Sequence, residues 1–185
     1  MLRSRPMFDR VLPLGDPRLR TPAAAVDPHD PMTEGECMRL HAALQAFRAE
    51  HGFGRAIAAP QLGIGKCIIA VDLGAGPFTV INPVITWRSA DTVTLWDDCM
   101  CFPDLLVRVR RAASITVDYV DERGEARTLD RLDPRTAELL QHEIDHLDGI
   151  LAIDRGDGAN AIISRAAFAL HIELFRGQVD LPTDA

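Results

Sequence analysis

The chain has no apolar run of 18 residues, so it offers no candidate for a membrane-spanning helix. It has no basic run longer than Arg110-Arg111 and a net charge of −7, which argues against a partner held by phosphate contacts. Its four cysteines in 185 residues are too few for the disulfide framework of a small secreted domain. The first 16 residues, MLRSRPMFDRVLPLGD, are basic but lack a continuous apolar stretch, so no secretory signal is expected. No repeat or low-complexity segment appears. A reducing, cytoplasmic setting is the expectation that remains.

What is present is ordinary globular composition, 47% hydrophobic and 25% charged, in a length that suits a single domain over residues 1–185. Residues 1–32 are rich in proline and aspartate and read as an irregular surface wrap. Thr33 to Glu36 has the form of a capping box, and Cys37, Leu40, Leu44 and Phe47 follow at helical spacing, predicting a helix over 34–50. Strands are expected at 67–73, at 78–86 with an interruption at Asn82-Pro83, and at 105–111, 114–120 and 125–130. A final amphipathic helix is expected over 159–176. The order predicts an α+β fold, with antiparallel sheet around a central helix.

That central helix carries the densest signal. Asp133 is a good N-cap, Pro134 suits the first helical position, and Gly149 marks a stop. Within it, Gln141 to His146 reads QHEIDH. His142 and His146, four residues apart, share one helix face and can reach one metal ion, with Glu143 beside them to handle the proton of a water. A hydrolytic site needs a third ligand and an open position. His171 and Glu173 downstream, or Cys99 and Cys101 upstream, are candidates, and spacing alone does not choose. Cys99 and Cys101 point the same way, opposite to Met100, if their segment is extended. The stretch from Gly54 to Gly63, GRAIAAPQLG, reads as a loop of small residues; its Gln61 is a neutral donor suited to an oxyanion.

Together GRAIAAPQ, DDCMC and QHEIDHLDG, in this order, resemble the three motifs of the peptide deformylase family, and VLPLGDPRLRTPA resembles its opening segment. The resemblance covers about residues 11–155. It implies a metallo-hydrolase that removes the formyl group from formyl-methionyl nascent peptides. Cys99, His142 and His146 would hold ferrous iron or zinc, with a fourth position for water. Glu143 would serve as general base and then acid. The Gln61 side chain and the Met100 backbone N–H would hold the oxyanion, and Asp145 would fix a neighbouring group. The implied partner is an N-formyl peptide at the ribosome, with no nucleic-acid or membrane contact and no oligomeric state indicated.

The chain departs from the family pattern near the substrate. Arg55 and Ala56 stand where the family has an apolar residue and glycine; Asp97, Asp98 and Cys101 replace glutamate, glycine and serine. Arg135 and Glu138 lie two turns and one turn before His142 on the ligand face. Arg55, Ala56, Asp97, Arg135 and Glu138 are therefore the candidate substrate-binding residues. An Arg135–Glu138 surface pair is one account of that helix face. The other is a pocket for a more polar formyl or amide substrate. A deformylase-like protein that binds without turnover is a further alternative.

Overall fold

The computed structural model describes residues 10–182; the expectations for residues 1–9 fall outside them. The first helix, α1 (Pro31–His51), starts three residues earlier than the sequence pattern suggests. Asp30 is its N-cap, accepting from the Met32 amide at 2.9 Å, and Pro31 follows. This Asp-Pro pair outcompetes the expected Thr33 cap. Thr33 instead donates to the Asp27 carbonyl, and Glu36 meets the Lys66 ammonium at 2.7 Å.

The main sheet is antiparallel, ordered β1 (Ala56–Ala58), β2 (Ile68–Asp72), β3 (Pro77–Arg88), β6 (Ile115–Val120) and β7 (Ala126–Leu129). Asn82-Pro83 does not end β3. Asn82 takes φ 50° at a register shift against β6, while its side-chain amide both donates to and accepts from the Val26 backbone. A second sheet holds β4 (Thr92–Asp98), β5 (Leu105–Ala112) and β8 (Ile162–Ser164). Three of these strands differ from the expected pattern. β1 forms within the small-residue loop, β4 lies outside every expected strand although TVTLW is β-branched and aromatic, and β8 lies in the expected last helix. That helix is in fact broken: α3 (Arg165–Leu170) and α4 (Ile172–Arg176) meet at His171, and the Ile162-Ile163 pair joins the sheet edge instead.

Both faces of the main sheet are covered, which explains the unbroken apolar run in β2. Ile68 and Ala70 point to α1, packing with Leu40, Leu44 and Phe47. Ile69 and Val71 point to the other face, against Ala137 and Leu140 of α2 (Pro134–Leu147). The second sheet closes over α2 from its far side. Gln141 pins the helix there, accepting from the Ala112 amide and donating to the carbonyls of Ala112 and Ala137. Gly149 ends the helix turn at φ 74°, where a β-carbon would meet the Arg20 carbonyl at 2.7 Å. Among the described residues no helix is long and apolar enough to cross a membrane.

Candidate metal centre

α2 forms because Asp133 caps it, accepting from the amides of Arg135 and Thr136. Its buried face carries His142, Glu143 and His146 toward the end of β4, where Cys99 leads into a turn. The Cys99 thiol and the two imidazoles bring one donor atom each within 4.8 Å of one another, and Cys99 Sγ lies 3.3 Å from His146 Nε2. Cysteine at 99 is thus the third member of the cluster. His171 and Glu173 are exposed on the C-terminal helices and take no part. The segment around Cys99 is a turn rather than extended, yet both Cys99 and Cys101 face the Gln61 amide.

The donors fit a divalent metal. One soft thiolate and two imidazoles form a common set for zinc or ferrous iron. Asp97 Oδ2 lies 2.9 Å from His142 Nδ1, which leaves Nε2 for the cluster. Among the described residues the buried Glu143 Oε2 has no hydrogen-bond partner, so one carboxylate oxygen beside the cluster is unclaimed by protein groups.

Charges around the cluster are tightly coupled. Burial works against an ionised Asp97, but His142 and Arg111 outweigh it and hold the carboxyl well below the usual range. Burial likewise opposes a charged His142, and Asp97 outweighs it, pushing the imidazole up to about 9. Glu143 is pushed up to about 7, chiefly by burial, with His142 pulling the other way. Burial also drives Cys99 up, helped by the neighbouring Cys101, since two adjacent thiols resist carrying two charges.

Arg111 is a member of this site that the motifs do not include. It is buried and donates to Asp97 at 3.0 Å and to Asp145 at 2.9 Å; Asp145 also accepts from Arg155. The signal for it lies in β5: alternation puts Val107, Val109 and Arg111 on one face, so Arg111 has to be buried with partners. Asp145 binds arginines, as expected of a group that fixes a neighbour.

Gln61 lies in a short 3-10 turn after β1. Its Oε1 accepts from the Ala58 amide at 2.8 Å, so its Nε2 donates toward Cys99 and Cys101 at 3.8 and 3.7 Å. Met100 sits between the two cysteines, its side chain reaching Gly54. A β-carbon on Gly54 would come within 2.7 Å of the Met100 methyl, and its φ of 117° favours glycine.

A cavity of about 430 Å³ opens from the cluster, bounded by Arg55, Trp96, Met100, Glu138, Leu139 and Leu181. The five expected substrate-side residues all line it, but in different ways. Ala56 is buried in β1 and packs with Ala137 and Leu139. Asp97 is committed to His142 and Arg111, so its reach is toward the metal ligand. The partner of Glu138 is Arg55, across the cavity, and not Arg135 on its own helix. Arg135 lies at the exposed rim, near the Pro182 carbonyl. The added charge of Asp98 is taken up by Arg165 at 3.0 Å.

The family model for polypeptide deformylase matches residues 8–161. The chain is similar to the peptide deformylase of Thermotoga neapolitana, with 35% identity over 156 residues, 84% of this chain and 92% of that protein. Its structure resembles the crystal structure of peptide deformylase from Thermotoga maritima, at TM-score 0.74 and 34% identity over 82% of this chain and 99% of that one. It also resembles a peptide deformylase from Synechococcus elongatus in complex with actinonin, at TM-score 0.76 and 30% identity, covering 93% and 87%.

Proposed function

The chain belongs to the polypeptide deformylase family, and from that premise we propose how its own residues carry the reaction. It is a metallo-hydrolase that removes the N-formyl group from nascent peptides. The observation that carries the residue assignment is the convergence of Cys99, His142 and His146 beside the unclaimed oxygen of Glu143.

Cys99, His142 and His146 hold the metal, and residues 1–185 form one catalytic domain. A bound zinc or ferrous ion supplies Lewis acidity, lowering the pKa of water to about 7 in the zinc case. Glu143 takes a proton from the attacking water and returns it to the leaving amine. Burial raises the proton affinity of the Glu143 carboxyl, which suits a group that must first take a proton. Gln61 Nε2 and the backbone N–H of Met100 donate to the oxygen of the formyl group as it gains charge. Asp97 orients His142, and Arg111 holds Asp97. β1 is an edge strand beside the cavity, so its free backbone groups are placed to pair with an extended peptide.

The donor set suits either metal, and we assign ferrous iron or zinc to it. We place the reaction in the cytoplasm, where the Cys99 thiol stays reduced and formylated chains emerge. Metal content of anaerobically purified protein, measured together with formyl release from a formyl-Met peptide, tests the reading. Stoichiometric metal with turnover supports it. Metal that stays bound in Cys99→Ser at undiminished affinity sinks the ligand assignment.

A further inference from the structure

Past α4 the chain turns back onto the second sheet. Phe168, Phe175 and Val179 pack with Trp96 and Leu106, and Trp96 Nε1 donates to the Phe175 carbonyl at 2.9 Å. Residues 180–182 then run parallel to β4 along the edge that β5 leaves open. The amides of Asp180 and Leu181 both donate to the Thr94 carbonyl at 3.0 Å. In return the Thr94 amide and hydroxyl donate to Asp180 Oδ2 at 2.8 and 2.7 Å. These four bonds pin the segment at one register on β4.

That register sets where Leu181 points. Its bridge partner is Leu95, and paired residues on neighbouring strands share a face. Alternation puts Leu95 and Asp97 on that face and Trp96 on the other. Leu181 therefore stands on the side that carries Asp97, the carboxylate against His142. One residue on, the Pro182 carbonyl accepts from Arg135 in the first turn of α2 at 3.4 Å. The segment thus spans the gap between β4 and α2, and both Leu181 and Pro182 line the cavity.

The wall built there is apolar. Leu95 and Leu139 are buried, whereas Leu181 is half-buried, so part of its surface still faces the open cavity. The charged groups nearby have partners: Arg135 at the Pro182 carbonyl, Asp97 with His142 and Arg111, and Glu138 with Arg55. Neither charge state of the Glu138 carboxyl alters the three leucines. An unbranched, flexible side chain such as methionine adapts well to an irregular apolar wall, while an alanine methyl hardly extends beyond the peptide backbone. Residues 180–182 also lie outside the 8–161 matched to the deformylase family, so this wall is not part of the pattern that defines it.

We propose that residues 180–182 form the outer wall of the substrate cavity, and that Leu181 is a specificity-determining residue that packs against the methionine side chain of the formyl peptide. The assignment rests on the deformylase reading given above.

The test uses the metal-loaded full chain and two readouts. Calorimetry gives the affinity of the unformylated peptides Met-Ala-Ser and Ala-Ala-Ser; kcat and KM are measured on their formylated forms. Leu181→Ala should weaken Met-Ala-Ser about tenfold. It should raise KM for formyl-Met-Ala-Ser by a similar factor with kcat little changed, and leave the alanine peptides as they were. Leu181→Met should restore the preference for methionine. Asp180→Ala, which loosens the segment without touching its apolar face, should lower that preference in the same direction. Undiminished Met-Ala-Ser binding in Leu181→Ala overturns the proposal. So does an equal loss for both peptides, which would mark a merely structural role, or a loss that Leu181→Met does not recover. If the binding pattern holds but no formyl peptide is hydrolysed, the wall stands and the reaction assigned above falls. If formyl-Met-Ala-Ser is hydrolysed and Leu181→Ala discriminates as the parent does, the reaction stands and the wall falls.

Discussion

Asp97 on β4 and His142 on α2 are joined by a 2.9 Å contact between Oδ2 and Nδ1, both buried. That contact fixes which nitrogen of His142 faces Cys99 and His146. The same Asp97 oxygen accepts from Arg111, so the ring, the carboxylate and the guanidinium form one chain of charge. Asp97→Asn should therefore weaken metal affinity about 10–100-fold, the usual cost of losing such a supporting carboxylate. A chelator competition titration reads this directly.

Cysteine at 99 and cysteine at 101 should behave differently. Cys99→Ser should lose most of the bound metal, because among the described residues only Sγ of Cys99 joins the two histidines. Cys101→Ser and Glu173→Ala should keep it. Metal-to-protein ratios of the three purified variants decide the point.

Glu143→Gln should keep the metal and lose turnover. Losing a positioned proton-transfer group costs about 10²–10⁴-fold in rate. The comparison needs kcat and metal content on the same preparation.

Arg111→Ala should be among the most damaging single changes. It leaves Asp97 with His142 alone and Asp145 with the half-exposed Arg155 alone, and removes the one buried cation between them, at a cost of about 3–5 kcal/mol. The shift of the urea midpoint, with the slope unchanged, measures it.

Glu138 predicts a pH effect of definite sign. Burial pushes its carboxyl up to about 7, aided by Asp97 and opposed by Arg55. A folded-state pKa above the unfolded one means the native protein holds the proton more tightly. Its stabilising contribution is present below about pH 4.5 and is lost as pH rises through 7. Relative to wild type, Glu138→Gln should gain stability across that window. Unfolding curves at pH 5 and pH 8 that differ equally for both proteins would contradict this.

Much of the centre is legible in the amino-acid sequence. The i, i+4 histidines and the cap at Asp133 need only helical geometry, and the motif resemblance supplies Cys99 and Gln61. Pairings between distant segments are what the sequence does not convey. Arg55 and Glu138 are 83 positions apart, and nothing in local spacing says that they meet. The i,i+3 rule instead favours Arg135, on the same helix. Likewise, small residues make 56–58 look like a loop. Tight packing between α1 and α2 is what gives Ala56 and Ala58 a place in a strand. The C-terminal amphipathic pattern is real for Phe168 and Phe175, which pack around Trp96, but the pairing of Ile162 and Ile163 with the distant β5 and the non-helical backbone at His171 leave no mark in that spacing.

Both histidines ride on a helix held between two sheets, and Gln141 bolts it to β5. No loop movement alone can separate the two imidazoles. The ion itself can still leave by the cavity, on the side of Cys99 and its turn, so a chelator should strip it while the α2 amides keep their protection from hydrogen exchange. The emptied site would keep its two imidazoles in place, ready to take an ion back without refolding.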